Sequence, residues 1–155
     1  MCGIAGLMSR DGVTPDASIL DRFARALGHR GPDGEGKYLV DPVAMVQTRL
    51  AIIDLKTGDQ PFFEPGGATL IANAEIYNFQ ELRAELTDIN FTSASDCELP
   101  LHLYRRDGLD FVNALRGMYA IAIHDPAESR LVLTRDPFGI KPLYYVETPN
   151  VFAFA

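Results

Sequence analysis

The sequence predicts an α+β domain, a four-layer αββα sandwich of two mainly antiparallel sheets with helices outside. Three observations carry this. Apolar runs of strand length open and close the chain, and helical spacing is confined to short stretches between them. No regular strand–helix–strand alternation asks for a parallel sheet. A length of 155 residues with 47% hydrophobic content suits one domain with a real core.

The elements follow in order. Cys2–Met8 is small and apolar, as a buried strand would be. Thr14-Pro15 signals a helix start, and Ile19, Leu20, Phe23, Ala24 and Leu27 continue at helical spacing. Gly28 to Gly36 is glycine-rich and reads as a loop. Lys37–Val40 and Val43–Leu55 read as paired strands turning at Asp41-Pro42. Ala68–Ala72 is a short strand ending at Asn73. Asn78 with Glu81, and Ser95 with Glu98, have capping-box spacing and open two helices, the second kinked or delayed by Pro100. Phe111–Leu115 suits a short helix. Met118–Ile123, Leu131–Thr134, Leu143–Val146 and Val151–Ala155 read as a closing antiparallel meander.

Charge and cysteine usage exclude several function classes. The net charge is −7 with no Lys/Arg cluster, so a phosphate backbone is repelled and nucleic acid is not expected as a partner. No apolar run reaches the roughly 18 residues of a membrane span, so no membrane partner is expected either. The two cysteines, Cys2 and Cys97, form no CxxC or Cys/His set. That argues for a reducing, cytoplasmic setting and against a metal site. His102 and His124 read as satisfied core or surface histidines.

The first feature with chemical content is Cys2. Excision of Met1 would leave a thiol and a free α-amine on one residue, with pKa values of roughly 8.5 and 7.7–8, so proton transfer between them is cheap. An N-terminal nucleophile served by its own amine is an established activation scheme. Alone, a buried second-position Cys is more often simple packing. It does not stand alone. Cys2-Gly3-Ile4-Ala5-Gly6, His29-Arg30-Gly31-Pro32-Asp33-Gly34, Arg49-Leu50-Ala51-Ile52-Ile53-Asp54, Asn73-Ala74-Glu75-Ile76-Tyr77-Asn78, Ser95-Asp96 and Arg135–Tyr145 occur in this order. Together they resemble the class II, N-terminal-cysteine glutamine amidotransferases, and within them the glutaminase half of asparagine synthetase. The resemblance covers essentially the whole chain.

The resemblance implies an Ntn-hydrolase type of αββα fold and hydrolysis of the L-glutamine side-chain amide through a Cys2 thioester. Ammonia would pass to an ATP-dependent synthetase, asparagine synthesis from aspartate being the default. It assigns the oxyanion donors to the Asn73 side chain and the Ala74 amide. Arg49 would take the substrate α-carboxylate, and Asp96, helped by Glu75, the α-ammonium. Arg30 would support the loop beside the nucleophile. No cofactor is implied for this domain; ATP and Mg²⁺ belong to a C-terminal synthetase domain or subunit. No Ser-Gly-Gly-type pyrophosphate loop occurs, so the chain reads as a glutaminase domain cut before that partner.

Departures from the family pattern matter. Ala74 stands where glycine is usual; its methyl is expected near the substrate, with strain if a positive φ is needed and a reduced rate. Cys97 replaces a more usual threonine and is expected to be a buried helix residue. Pro100 could displace Asp96. If Ala74 abolished turnover, the domain would be a non-catalytic glutamine-binding or regulatory module. In the Arg135–Tyr145 segment, Pro137, Gly139 and Pro142 should set turns while Phe138 and Tyr144 supply core.

Overall fold

A computed structural model describes residues 2–155 and contains two antiparallel sheets packed face to face. The strands are β1 (Gly3–Ser9), β2 (Gly34–Val40), β3 (Val43–Arg49), β4 (Phe62–Phe63), β5 (Thr69–Ile76), β6 (Gly117–Asp125), β7 (Arg130–Arg135), β8 (Tyr145–Glu147) and β9 (Val151–Phe154). The helices are α1 (Ser18–Leu27), α2 (Phe79–Glu85) and α3 (Leu99–Asp107), with a 3-10 helix over Gly108–Asn113. One sheet runs β2-β3-β1-β9-β8 and the other β4-β5-β6-β7.

Alternation along the strands assigns each side chain to a layer. Ile4, Val43 and Met45 of the first sheet meet Ile71, Ala120 and Ala122 of the second, forming the inter-sheet core. Their neighbours Ala5, Ala44 and Val46 turn outward under Leu20 and Ala24 of α1. On the other outer face, Leu70, Ala72, Ile121 and Ile123 pack against Leu82 of α2 and against Leu99 and Leu103 of α3. Helix, sheet, sheet, helix is the layer order, as the sequence predicts.

Several boundaries differ from expectation. The first helix begins at Ser18; Pro15 is buried ahead of it, and the Asp16 carboxylate accepts the Ser18 N–H at 2.9 Å. Strand β3 stops at Arg49, and residues 50–61 form an irregular loop. Strand β5 runs on through Asn73 to Ile76, because every residue from Thr69 to Ile76 is registered against β6. Pairing overrides the weak strand propensity of Asn, Ala and Glu. The Asn78 side chain caps no helix; it donates to the Ala114 carbonyl (3.0 Å) and accepts the Arg116 N–H (3.0 Å). Helix α3 starts at Leu99 with Pro100 in its first turn, where the missing N–H has no helical partner to lose.

The closing strands form no single meander. β6 and β7 lie in the four-stranded sheet, whereas β9 pairs with β1 and β8 with β9 in the other. The segment between is built on one carboxylate. Asp136 accepts the N–H groups of Tyr119, Phe138, Ile140 and Lys141. Burial would raise its pKa, but these bonds hold it below the usual range. Phe138 and Tyr144 supply no core: they are 88% and 73% exposed. His102 and His124 are satisfied inside. His102 Nε2 lies 3.2 Å from Glu98 Oε1, and His124 Nδ1 lies 2.8 Å from the Tyr38 hydroxyl.

Candidate active site

Strands from both sheets border one pocket of about 260 Å³. Cys2, Arg49, Asn73, Ala74, Glu75 and Asp96 all line it. Arg30 does not; it works from behind. Its Nε donates to the Cys2 carbonyl at 3.1 Å, while its Nη2 is buried without a partner. The approach is close because Gly31 lies against β3: a Cβ there would sit 2.3 Å from the Thr48 carbonyl carbon.

Cys2 is half-buried just ahead of β1. Its Sγ accepts the Leu50 N–H at 3.4 Å and lies 3.7 Å from the Leu50 carbonyl. One residue beyond the end of β3 therefore fixes the sulfur. The expected removal of Met1 concerns a residue outside those described.

Arg49 ends β3 and is buried. Its guanidinium binds the Asp59 carboxylate at 2.5 Å and the carbonyls of Ile53 and Asp54. The Asp59 side chain is 80% exposed. An exposed carboxylate thus sits on the planar fork, where solvent screening makes its replacement by another carboxylate cheap.

Asn73 and Glu75 alternate with Ala74 on β5. Ala74 packs with the helix-side core, so its methyl turns away from the inter-sheet face that carries Asn73. Its backbone is unstrained: among the described residues only Asp54 and Ser129 are non-glycines with positive φ. The positive-φ requirement considered from sequence does not arise.

Asp96 is buried and accepts the Ile76 N–H through Oδ2 at 2.7 Å. Burial is the largest influence on it, and with the nearby Glu75 charge it raises the carboxyl pKa despite that bond. Pro100 has not pulled Asp96 from the pocket. Glu98 holds the segment in place, accepting the N–H and hydroxyl groups of Thr92 and Ser93. Burial alone would raise Glu98; His102, Ser93 and Thr92 together bring it down to about 2. Cys97 is buried but precedes the helix, and its Sγ donates to the Ala74 carbonyl at 3.6 Å. Burial pushes that thiol well up, so it stays protonated.

Residues the sequence reading missed complete the pocket. Asp54 Oδ2 accepts the Ala94 N–H at 2.8 Å, tying the loop after Arg49 to the segment before Asp96. Asp59 is the partner of Arg49, and Gln60 and Lys141 join the lining. Of these, only Gln60 carried a signal: the following Pro61 cannot donate to a strand ladder, so a strand edge there needs another partner.

The profile of the glutamine amidotransferase domain matches residues 1–155. The chain belongs to that family. It is 41% identical over 159 residues to asparagine synthetase [glutamine-hydrolyzing] 2 of Bacillus subtilis, covering all of this chain and 21% of the relative. The rice protein of the same name is 39% identical over 146 residues, at 93% and 25% coverage. A third relative, amidase chry2 of Gibberella zeae, is 36% identical over 165 residues, at 97% and 25% coverage. The chain thus spans a quarter or less of the length of these relatives. Among solved structures, glutamine phosphoribosylpyrophosphate amidotransferase from B. subtilis superposes with a TM-score of 0.79 at 21% identity, over 99% of this chain and 41% of that one. That likeness establishes a shared fold.

Proposed function

We propose that the domain hydrolyses the side-chain amide of L-glutamine through a thioester on Cys2, releasing glutamate and ammonia. The observation that carries this is the convergence of a thiol, a carboxamide, a guanidinium and a buried carboxylate on one pocket. With Met1 removed, the Cys2 amine takes the thiol proton and the thiolate attacks the amide carbon. The Asn73 carboxamide and the Ala74 N–H stabilise the oxyanion. The ammonium of Cys2 then returns its proton to the leaving nitrogen, and ammonia departs. Water attacks the thioester, giving glutamate and restoring the thiol.

Arg49 takes the α-carboxylate after Asp59 swings aside, and Asp96 with Glu75 takes the α-ammonium. Opposite charges at fixed separation select a free amino acid over a peptide-bound glutamine. Arg30 holds the Cys2 carbonyl and so aims the nucleophile. The domain needs no cofactor for this reaction.

In the whole protein the ammonia feeds an ATP- and Mg²⁺-dependent synthetase domain or subunit, with aspartate amidation to asparagine as the reading the relatives' names favour. Support for a docked partner comes from the exposed cluster of Phe138, Ile140, Tyr144, Tyr145 and Val146. A cytoplasmic setting accords with the two free cysteines. No described helix is long and apolar enough to cross a membrane.

The test is incubation with a diazoketone analogue of glutamine, read by intact mass alongside a glutaminase assay. Stoichiometric labelling that is lost in Cys2→Ala, together with glutamate release, is expected. Reversible glutamine binding without labelling would instead establish a non-catalytic binding module.

A further inference from the structure

We propose that Gln60 is a positioning residue for amide hydrolysis, its side-chain amide replacing a missing strand at Ala72 and thereby setting the Asn73–Ala74 donor pair. This rests on the glutaminase reading above.

The open edge of β5 carries the case. In an antiparallel ladder, alternate residues direct both N–H and C=O to the same side. On the side away from β6, Leu70 is registered with Phe62 of β4. Two residues on, the ladder has run out: β4 is only Phe62–Phe63, and Pro61 has no N–H to offer. Here the Gln60 side chain makes both missing bonds. Its Nε2 donates to the Ala72 carbonyl at 3.1 Å, and its Oε1 accepts the Ala72 N–H at 2.6 Å. Two residues further, Ala74 turns its N–H and C=O to the same edge, with the carbonyl taken by Cys97 Sγ. Ile76 follows, its N–H bound by Asp96. Two side chains, Gln60 and Asp96, therefore close the edge on either side of Ala74. The Ala74 N–H is left facing the pocket that both of them line.

Gln60 is itself held from the opposite sheet. A Cβ on Gly36 of β2 would lie 1.7 Å from the Gln60 carbonyl oxygen. The main chain at Gln60 thus rests against the first sheet while its side chain grips the second. It spans the two layers that supply the nucleophile and the oxyanion donors, and is buried at 8% exposure. An amide fits at every pH, since the site needs one donor and one acceptor side by side.

The experiment compares Gln60→Met and Gln60→Glu with the wild type by steady-state glutaminase kinetics and by hydrogen exchange at the Ala72 amide. Gln60→Met keeps volume but loses both bonds. We expect kcat to fall ~10–100-fold with KM within ~3-fold, because misplaced donors act on the transition state. Exchange at Ala72 should quicken while amides of β1 keep their wild-type rates. In Gln60→Glu, a neutral carboxylic acid can make both bonds and a carboxylate cannot. The ratio of its kcat to the wild type's should therefore rise as pH falls, burial having raised the new group's pKa. If Gln60→Met folds poorly, this pH-dependent rescue decides the matter. A flat ratio, a rise in KM with kcat intact, or unchanged Ala72 exchange overturns the proposal. Absence of turnover in the wild type sinks the glutaminase reading, whereas turnover with unchanged Ala72 exchange sinks only the clamp.

Discussion

The two sheets meet the pocket in opposite ways. The four-stranded sheet presents Asn73 and Ala74 from inside a strand paired residue by residue with β6 from Thr69 to Ile76. The five-stranded sheet presents Arg49 at the last residue of β3, and everything beyond it is loop until β4. Ile52 and Leu55 in that loop are 67% and 70% exposed. On the proposed function, the oxyanion donors sit within a strand paired along its whole length, whereas the guanidinium that takes the substrate carboxylate sits where a strand gives way to loop. The loop is not free, since Asp54 links it to Ala94 and its carbonyl binds Arg49. It is nevertheless held by a few bonds that can be exchanged.

This contrast makes separable kinetic predictions. Asn73→Ala removes a donor from the rigid side, so kcat should drop ~10²–10³-fold with little change in KM. Steady-state kinetics check it, and a change confined to KM would show that Asn73 binds the ground state instead. Arg49→Lys acts where β3 gives way to loop. It keeps the charge but loses the planar fork that now holds Asp59 and two carbonyls. KM for glutamine should rise ~10–100-fold, the equivalent of losing charge-assisted bonds, with kcat altered far less. Equal losses in kcat for both variants would erase the distinction between the sheets.

Asp96 gives a smaller, pH-dependent test. Burial raises its pKa in the free domain, and in its proposed role it meets an incoming ammonium in the ionised form. KM should therefore climb as pH falls, beginning above the ordinary carboxylate range, while kcat at saturation changes less. The sign for stability is the reverse of the usual acid case. A raised folded pKa means that ionising Asp96 subtracts stability once pH passes the unfolded carboxyl value. Asp96→Asn should then raise the melting temperature of the ligand-free protein at neutral pH while weakening glutamine binding. Thermal melts with and without glutamine check both halves.

Much of this pocket was legible because its lining includes uncommon residues in uncommon places. A Cys at position 2 and an Asn-Ala-Glu run after an apolar stretch are visible as motifs. The layer count was legible from strand-length apolar runs with short helical stretches between them and no strand–helix–strand alternation. What escaped was pairing. Nothing local distinguishes β7 from β9, yet they belong to different sheets, because β9 finds its partner in β1 at the far end of the chain. Phe138 looked like core by composition, but Asp136 builds the turn from backbone N–H groups and leaves the ring outside. Asp54 and Asp59 were invisible, and Gln60 was marked only by the proline after it, for a related reason. Each acts on backbone or on a side chain distant in the sequence, a role without period or spacing.

Ala74 is where the contrast can be pressed hardest with the smallest effect. Its carbonyl and N–H face the substrate edge, yet its methyl joins the helix-side core and its φ is not positive. Only the backbone of this residue belongs to the proposed chemistry. Ala74→Gly should therefore leave the glutaminase rate within ~2-fold, whereas stability should fall by about 0.5–1 kcal/mol from the added freedom of glycine in a strand. Denaturant melts beside kinetics separate the two. A large gain in kcat would mean that the methyl does obstruct substrate, and that the β5 window is less rigid than its ladder implies.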